Sequence, residues 1–162
     1  MKLDISSLGN AIVDVQFSIE EDFVSKLEKM SILKGAMTLI EAEEQSNLIS
    51  LLTEEYGEPK LSCGGAATNS IVAASNFGSI CHFSCKVRND DLGIFYLENL
   101  SKNDVLHSKQ ASESDLSTGQ CVVMVTPDAE RTMCTYLGIS NLLRSSDLDK
   151  LAIRNSKFLF LE

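Results

Sequence analysis

The chain has 162 residues, 44% of them hydrophobic and 23% charged, and a net charge of −9. That length holds one core of ordinary size and does not require two domains. The acidic balance excludes broad nucleic-acid binding, which needs clustered Lys and Arg, and no apolar run reaches the ~20 residues of a membrane span.

Taken in chain order, Leu3–Leu8 reads as a buried strand closed by a turn at Gly9-Asn10. Ile12 to Ile19 alternates apolar residues with Asp14, Gln16 and Ser18, which predicts a strand with one wet face. Glu20 to Lys29 places Phe23, Val24 and Leu27 at helical spacing behind a first turn of acids, so an amphipathic helix is expected. A short strand is expected at 34–38. Thr38-Leu39-Ile40-Glu41 then has the form of a capping box opening a helix that runs to about Tyr56, before Gly57 and Pro59.

The spacing predicts a helix over Thr68–Phe77, a strand over Ile80–Val87 and a helix from Asp90 or Asp91 to about Leu100. A short extended piece follows at Val105–Ser108. Thr118–Thr126 and Arg131–Leu137 read as strands joined by the turn Pro127-Asp128-Ala129-Glu130. Ser146–Asn155 is expected to be a helix and Lys157–Leu161 a last, apolar strand. Strands alternating with helices imply an α/β fold with a largely parallel sheet. The alternating strands near 12–19 and 34–38 suit a small side sheet instead, because a parallel sheet covered on both faces wants continuous apolar runs. The final strand has no following helix to cover it, so the sequence is expected to be cut inside a larger domain.

Cys63-Gly64-Gly65-Ala66-Ala67-Thr68-Asn69-Ser70 is the segment that carries chemistry. Glycine lets the backbone approach a ligand, and a helix opening just after it offers free N–H groups. Asn69 adds an amide with donors and an acceptor. The alternative is a tight strand-to-helix turn packed on a sheet. Five cysteines without a Cys-x-x-Cys, and two histidines, give no zinc spacing; free thiols in a reducing cytoplasm are expected. His82 and His107 show no catalytic partner spacing. Ile12, Met37, Cys121 and Tyr136 could wall a pocket, against the plainer alternative of core packing.

With these residues in view, the chain resembles the N-terminal half of the ribokinase-like, PfkB-type carbohydrate kinases, in their adenosine-kinase-like branch. The resemblance rests on Gly9-Asn10-Ala11-Ile12-Val13-Asp14 and on Gly64-Gly65-Ala66-Ala67-Thr68-Asn69-Ser70. It rests also on Lys86 to Gly93, where Arg88 replaces the family's usual Gly, and on Ser117-Thr118-Gly119-Gln120 leading to Thr126–Met133. It implies a partial three-layer αβα ribokinase-like fold with a small β-sheet lid, residues 1–162 being the N-terminal part of one kinase domain.

The resemblance further implies an ATP- and Mg²⁺-dependent phosphotransferase acting on a sugar or nucleoside hydroxyl, with the catalytic and nucleotide-binding parts lying beyond this sequence. Asp14 would grip a sugar diol, and Asn10, Gly64, Gly65 and Asn69 would line the acceptor. Arg131 would support the transferred phosphoryl group; otherwise it pairs on the surface with Glu130 or Asp128. Thr118 is expected to set the start of its strand rather than to touch substrate. No Gly-x-Gly-Asp occurs in the chain, so no catalytic base is expected here and the chain alone is expected to be inactive. The partners expected are a small sugar or nucleoside, without nucleic acid or membrane, and a second copy through the lid or the last strand. The other reading kept open is a stand-alone nucleoside- or sugar-binding half-domain. A dinucleotide-binding dehydrogenase is disfavoured, since no Gly-x-Gly-x-x-Gly follows the first strand.

Overall fold

A computed structural model describes residues 2–108, 111–112 and 114–162. The elements are β1 (Leu3–Leu8), β2 (Ile12–Ser18), α1 (Val24–Lys29), β3 (Met37–Leu39), α2 (Ala42–Tyr56), β4 (Lys60–Gly64), α3 (Ala66–Asn76), β5 (Cys81–Ser84) and β6 (Val87–Arg88). They continue as α4 (Asp91–Lys102), β7 (Val105–His107), β8 (Ala111–Ser112), β9 (Gly119–Val125), β10 (Arg131–Tyr136), α5 (Lys150–Arg154) and β11 (Ser156–Leu161). They divide into two compact units. One comprises Met1–Val13, Cys63–Gly119 and Gly138–Glu162; the other comprises Asp14–Ser62 and Gln120–Leu137.

The first unit carries a parallel sheet in the order β11-β1-β5-β7. Alternation along β5 sends Cys81 and Phe83 to one face, where they join Ile71 of α3 with Tyr96 and Leu100 of α4 in a buried cluster. His82 takes the other face, with its Nε2 3.8 Å from the carboxylate of Asp149, the residue that caps α5. Helices on two faces of a parallel sheet are the covering such a sheet requires. β1 and β5 are polar for buried strands, and Ser6, Ser7, His82 and Ser84 are all buried. β11 lies at one edge, and Phe158 is 69% exposed.

The second unit is built on the sheet β3-β10-β9-β2-β4. Val15 and Phe17 of β2, Val122 and Met124 of β9 and Cys134 of β10 point to one face, where Leu27 of α1 and Leu48 and Leu52 of α2 complete a core. Gln45 of α2 is buried with them and donates from Nε2 to the Gln120 carbonyl at 3.0 Å. The opposite face carries Asp14 and Gln16 of β2, Cys121 and Val123 of β9, and Arg131 and Met133 of β10. Met37 and Leu39 of β3 pair in register with Met133 and Thr135 and are exposed.

The structure corrects several expected boundaries. The strand expected at 34–38 is Met37–Leu39, because Gly35 takes a φ of +75° and turns the chain ahead of it. Thr38 therefore sits in β3 opposite Cys134 and caps nothing. The capping box of α2 is formed by Glu41 and Glu44, with the Glu41 N–H donating to Glu44 Oε2 at 2.9 Å. The helix expected over 20–29 begins as a 3-10 turn at Glu21–Phe23. The helix expected from Ser146 starts at Lys150, since Asp149 Oδ1 accepts from the N–H groups of Leu151 and Ala152. The expected strand 80–87 breaks into β5 and β6. β4 and the 3-10 segment Gly138–Leu142 were not anticipated.

Candidate acceptor site

Four of the sequence-derived residues meet in the first unit. β4 ends at the buried Gly64, and Gly65 forms the N-cap of α3 with φ +95° and ψ +133°, a backbone that L side chains rarely adopt. A Cβ at Gly65 would stand 2.7 Å from the backbone carbonyl oxygen of Asn10 and 3.3 Å from Thr68 Oγ1. The half-buried Asn10 and the glycine pair are thus in direct backbone apposition. Asn69 closes the first turn by donating its N–H to the Gly65 carbonyl at 3.0 Å, and it is exposed. Below this turn Thr68 is buried and hydrogen-bonded to the Tyr96 hydroxyl. Burial holds that phenol well above its ordinary range.

A residue that sequence reasoning missed completes the arrangement. The Glu162 carboxylate accepts from the Ala67 N–H at 2.5 Å, at the free end of α3. It also lies 3.1 Å from where a Cβ on Gly9 would stand. Ninety-five positions separate the two partners. No local pattern in the chain signals that contact.

Asp14 and Arg131 belong to the second unit. They share the sheet face turned away from α1 and α2, and they interact electrostatically. Partial burial raises the Asp14 carboxyl above its ordinary value, and the Arg131 guanidinium opposes that rise. Of the two surface partners weighed for Arg131, Glu130 and Asp128, the second is held by Lys34, its Oδ2 accepting from Nζ at 2.8 Å. Burial also raises the thiol of Cys121, with Asp14 adding to the effect. Of the four pocket-wall candidates, Ile12 and Cys121 are buried, Tyr136 is half-buried and Met37 is 58% exposed.

Thr118 has a clear structural task. Its Oγ1 accepts from the Arg88 N–H at 3.0 Å and donates to Asp90 Oδ1 at 2.7 Å, so it ties β6 to the N-cap of α4. Arg88 itself has no positive φ, so its backbone does not call for glycine. None of the five cysteines, all among the described residues, is in a disulfide. Among the described residues, no group of three or more His, Cys, Asp or Glu stands where it could hold a metal ion, and no helix is long and apolar enough to cross a membrane.

Comparison with known proteins decides the family. The profile of the pfkB family carbohydrate kinases matches residues 27–162. The chain belongs to the pfkB family. A ribokinase of Mus musculus is 32% identical over 89 residues, which is 55% of this chain and 28% of that protein. The adenosine kinase of Sinorhizobium meliloti superposes with a TM-score of 0.86 at 30% identity, over 99% of this chain and 47% of its own. A probable sugar kinase protein from Rhizobium etli CFN 42 gives 0.85 at 28% identity, with the same coverage. The fold is therefore that of the pfkB kinases, αβα with a small accessory sheet. The chain spans about half the length of these solved pfkB relatives, and 28% of the mouse ribokinase.

Proposed function

We propose that this chain is the acceptor-binding part of a pfkB-type phosphotransferase that acts on a hydroxyl of a sugar or nucleoside, adenosine or a related ribosyl compound. The observation that carries the reading is the α3 opening, where a glycine-only conformation brings the Asn10 and Gly65 backbones together. Backbone carbonyls and N–H groups held that close without side chains are suited to the dense hydroxyls of a polyol. Asp14 would accept from two neighbouring hydroxyls at once, as a carboxylate can. Its raised pKa marks a carboxylate only partly compensated by the protein. Arg131 would offset negative charge developing on the transferred group. The exposed Met37 and Leu39 on the face shared with Asp14 suit a flat apolar base, which favours a nucleoside over a free sugar.

In such a reaction the acceptor oxygen attacks the terminal phosphorus of ATP, ADP leaves, and the acceptor proton passes to a general base. Mg²⁺ supplies charge neutralisation on the phosphates when bound. The described residues provide neither a metal cluster nor a Gly-x-Gly-Asp segment. The work assigned to this chain is therefore to bind and orient the acceptor. We also assign residues 1–162 to one kinase domain, with the accessory sheet as its lid and with nucleotide binding and catalysis supplied by other parts of that protein. A cytoplasmic location, and a second copy pairing at β3 or β11, belong to the same reading.

Calorimetry with adenosine, ribose and fructose, run beside a phosphotransfer assay with ATP, tests it. Saturable binding of adenosine without turnover is the expected result. Appreciable turnover would show that the base lies within these 162 residues. Binding without turnover in the complete parent protein as well would favour a non-catalytic nucleoside-binding module.

A further inference from the structure

The end at which the parallel strands of the first unit begin gathers positive charge, in a chain whose net charge is −9. Lys2, Arg154 and Lys157 line a cavity of about 510 Å³ there, together with Asn155 and Ser156. Lys2 precedes β1, Arg154 ends α5, and Lys157 lies in β11, whose Ser156 pairs with Leu3 of β1. Asp4 answers one of the three cations: its Oδ1 accepts from Lys157 Nζ at 2.7 Å. Asp4 is itself fixed by the Ile80 N–H, which donates to its Oδ2 at 2.9 Å. The Lys157 hydrogen bond holds the Asp4 carboxyl below its ordinary range, and the charge of Lys2 adds to that effect. Among the described residues, neither Lys2 nor Arg154 is in an ion pair. Two backbone oxygens that would otherwise repel an anion here are engaged. The Asn155 carbonyl accepts from the Leu3 N–H at 3.0 Å, and the Ala152 carbonyl accepts from Ser156 Oγ at 2.7 Å.

We propose that Lys2, Arg154 and Lys157 form a binding site for the phosphate group of a small, strongly polar ligand, separate from the acceptor site. Three cations against the carboxylate of Asp4 leave a balance of two positive charges. A phosphate monoester carries about −1.5 to −2 charges near pH 7 and meets that balance, whereas a single ligand carboxylate leaves part of it unmet. Arg154 offers a planar fork of N–H donors that matches two phosphate oxygens at once, while Lys2 and Lys157 act as point charges. None of the five lining residues is aromatic, so a base finds no ring to stack on. Inorganic phosphate or a phosphorylated sugar fits the cavity. β1 spans six residues between this end and the Gly9–Asn10 turn, about 20 Å at the rise of a strand, so the inference does not rest on the acceptor reading.

The test titrates the ¹⁵N-labelled chain with inorganic phosphate, with ribose 5-phosphate and, as a neutral control, with ribose. Ionic strength is held constant with sodium chloride, and the amides of Leu3 and of Arg154 to Lys157 are read. Saturable shifts with both phosphates and none with ribose are expected. Tighter binding of ribose 5-phosphate assigns the site to a phosphorylated sugar, and equal binding assigns it to the free ion. Arg154→Gln and Lys2→Gln should each weaken phosphate binding at least about threefold, the effect of losing one exposed ion contact. The double variant should show no saturation. A drift that does not saturate, shifts confined to Gly64 and Gly65, or equal affinity in the parent and the double variant overturns the site. If the double variant does not fold, Arg154→Lys decides: it keeps the charge, loses the fork and should bind phosphate more weakly, and parental affinity refutes the proposal.

Discussion

At the residue scale, the site is built from conformations and contacts with unequal costs. Gly65→Ala adds a Cβ 2.7 Å from the Asn10 carbonyl at a φ of +95°, whereas Gly57→Ala, at +81°, meets open space. The second carries only backbone strain, about 1–3 kcal/mol. The first adds a backbone clash and should cost more, so Gly65→Ala is expected to lower the urea midpoint further than Gly57→Ala. Equal losses would mean that Asn10 yields freely. Thr68→Val leaves the buried Tyr96 hydroxyl without its partner and should cost about 1–3 kcal/mol in the same assay. Asp14 behaves differently. Because its folded pKa is raised, the folded state binds its proton more readily than the unfolded chain, and ionised Asp14 at neutral pH opposes stability. Asp14→Asn is therefore expected to hold or raise the melting temperature, as replacement of a binding carboxylate often does. A clear drop would make Asp14 a structural residue.

At the element scale, the buried His82 of β5 facing the partly exposed Asp149 at the start of α5 predicts a pH response. Burial lowers the pKa of His82 below its ordinary 6.5, and Asp149 opposes that shift. The folded state thus resists protonation at His82. Its stability is complete above pH 6.5 and falls as the pH drops from there toward the folded value. Melting at pH 7.5 and 5.5 should show this loss, and His82→Gln should reduce it; an unchanged slope in the variant would place the titration elsewhere. The same scale shows what could be read in advance. β1, β9, β10 and the end of α2 were legible because apolar runs, alternation and Gly57 are local signals. β4 was not: Lys60-Leu61-Ser62-Cys63 offers only two alternating apolar residues, Leu61 of which is 39% exposed, too short a pattern to mark a strand without its sheet neighbours. The start of α2 was misplaced because Thr38 and Glu41 imitate a capping box, while tertiary pairing with Cys134 draws Thr38 into β3. Asn10 and Gly65 could be joined only through the resemblance. Glu162 could not be reached at all, since its contact depends on where a parallel strand ends in space.

At the scale of the whole molecule, the role proposed for this chain is acceptor recognition. Four of the six residues singled out lie in one compact unit, and Asp14 and Arg131 lie in the other. The proposed part of Asp14 in acceptor binding is tested most directly by calorimetry of adenosine binding to the parent chain and to Asp14→Ala. Hydrogen bonds to a charged group are worth about 1.5–3 kcal/mol, so the variant should bind at least tenfold more weakly, with its fold intact by circular dichroism. An affinity equal to the parent's would remove Asp14 from the site and contradict the acceptor reading.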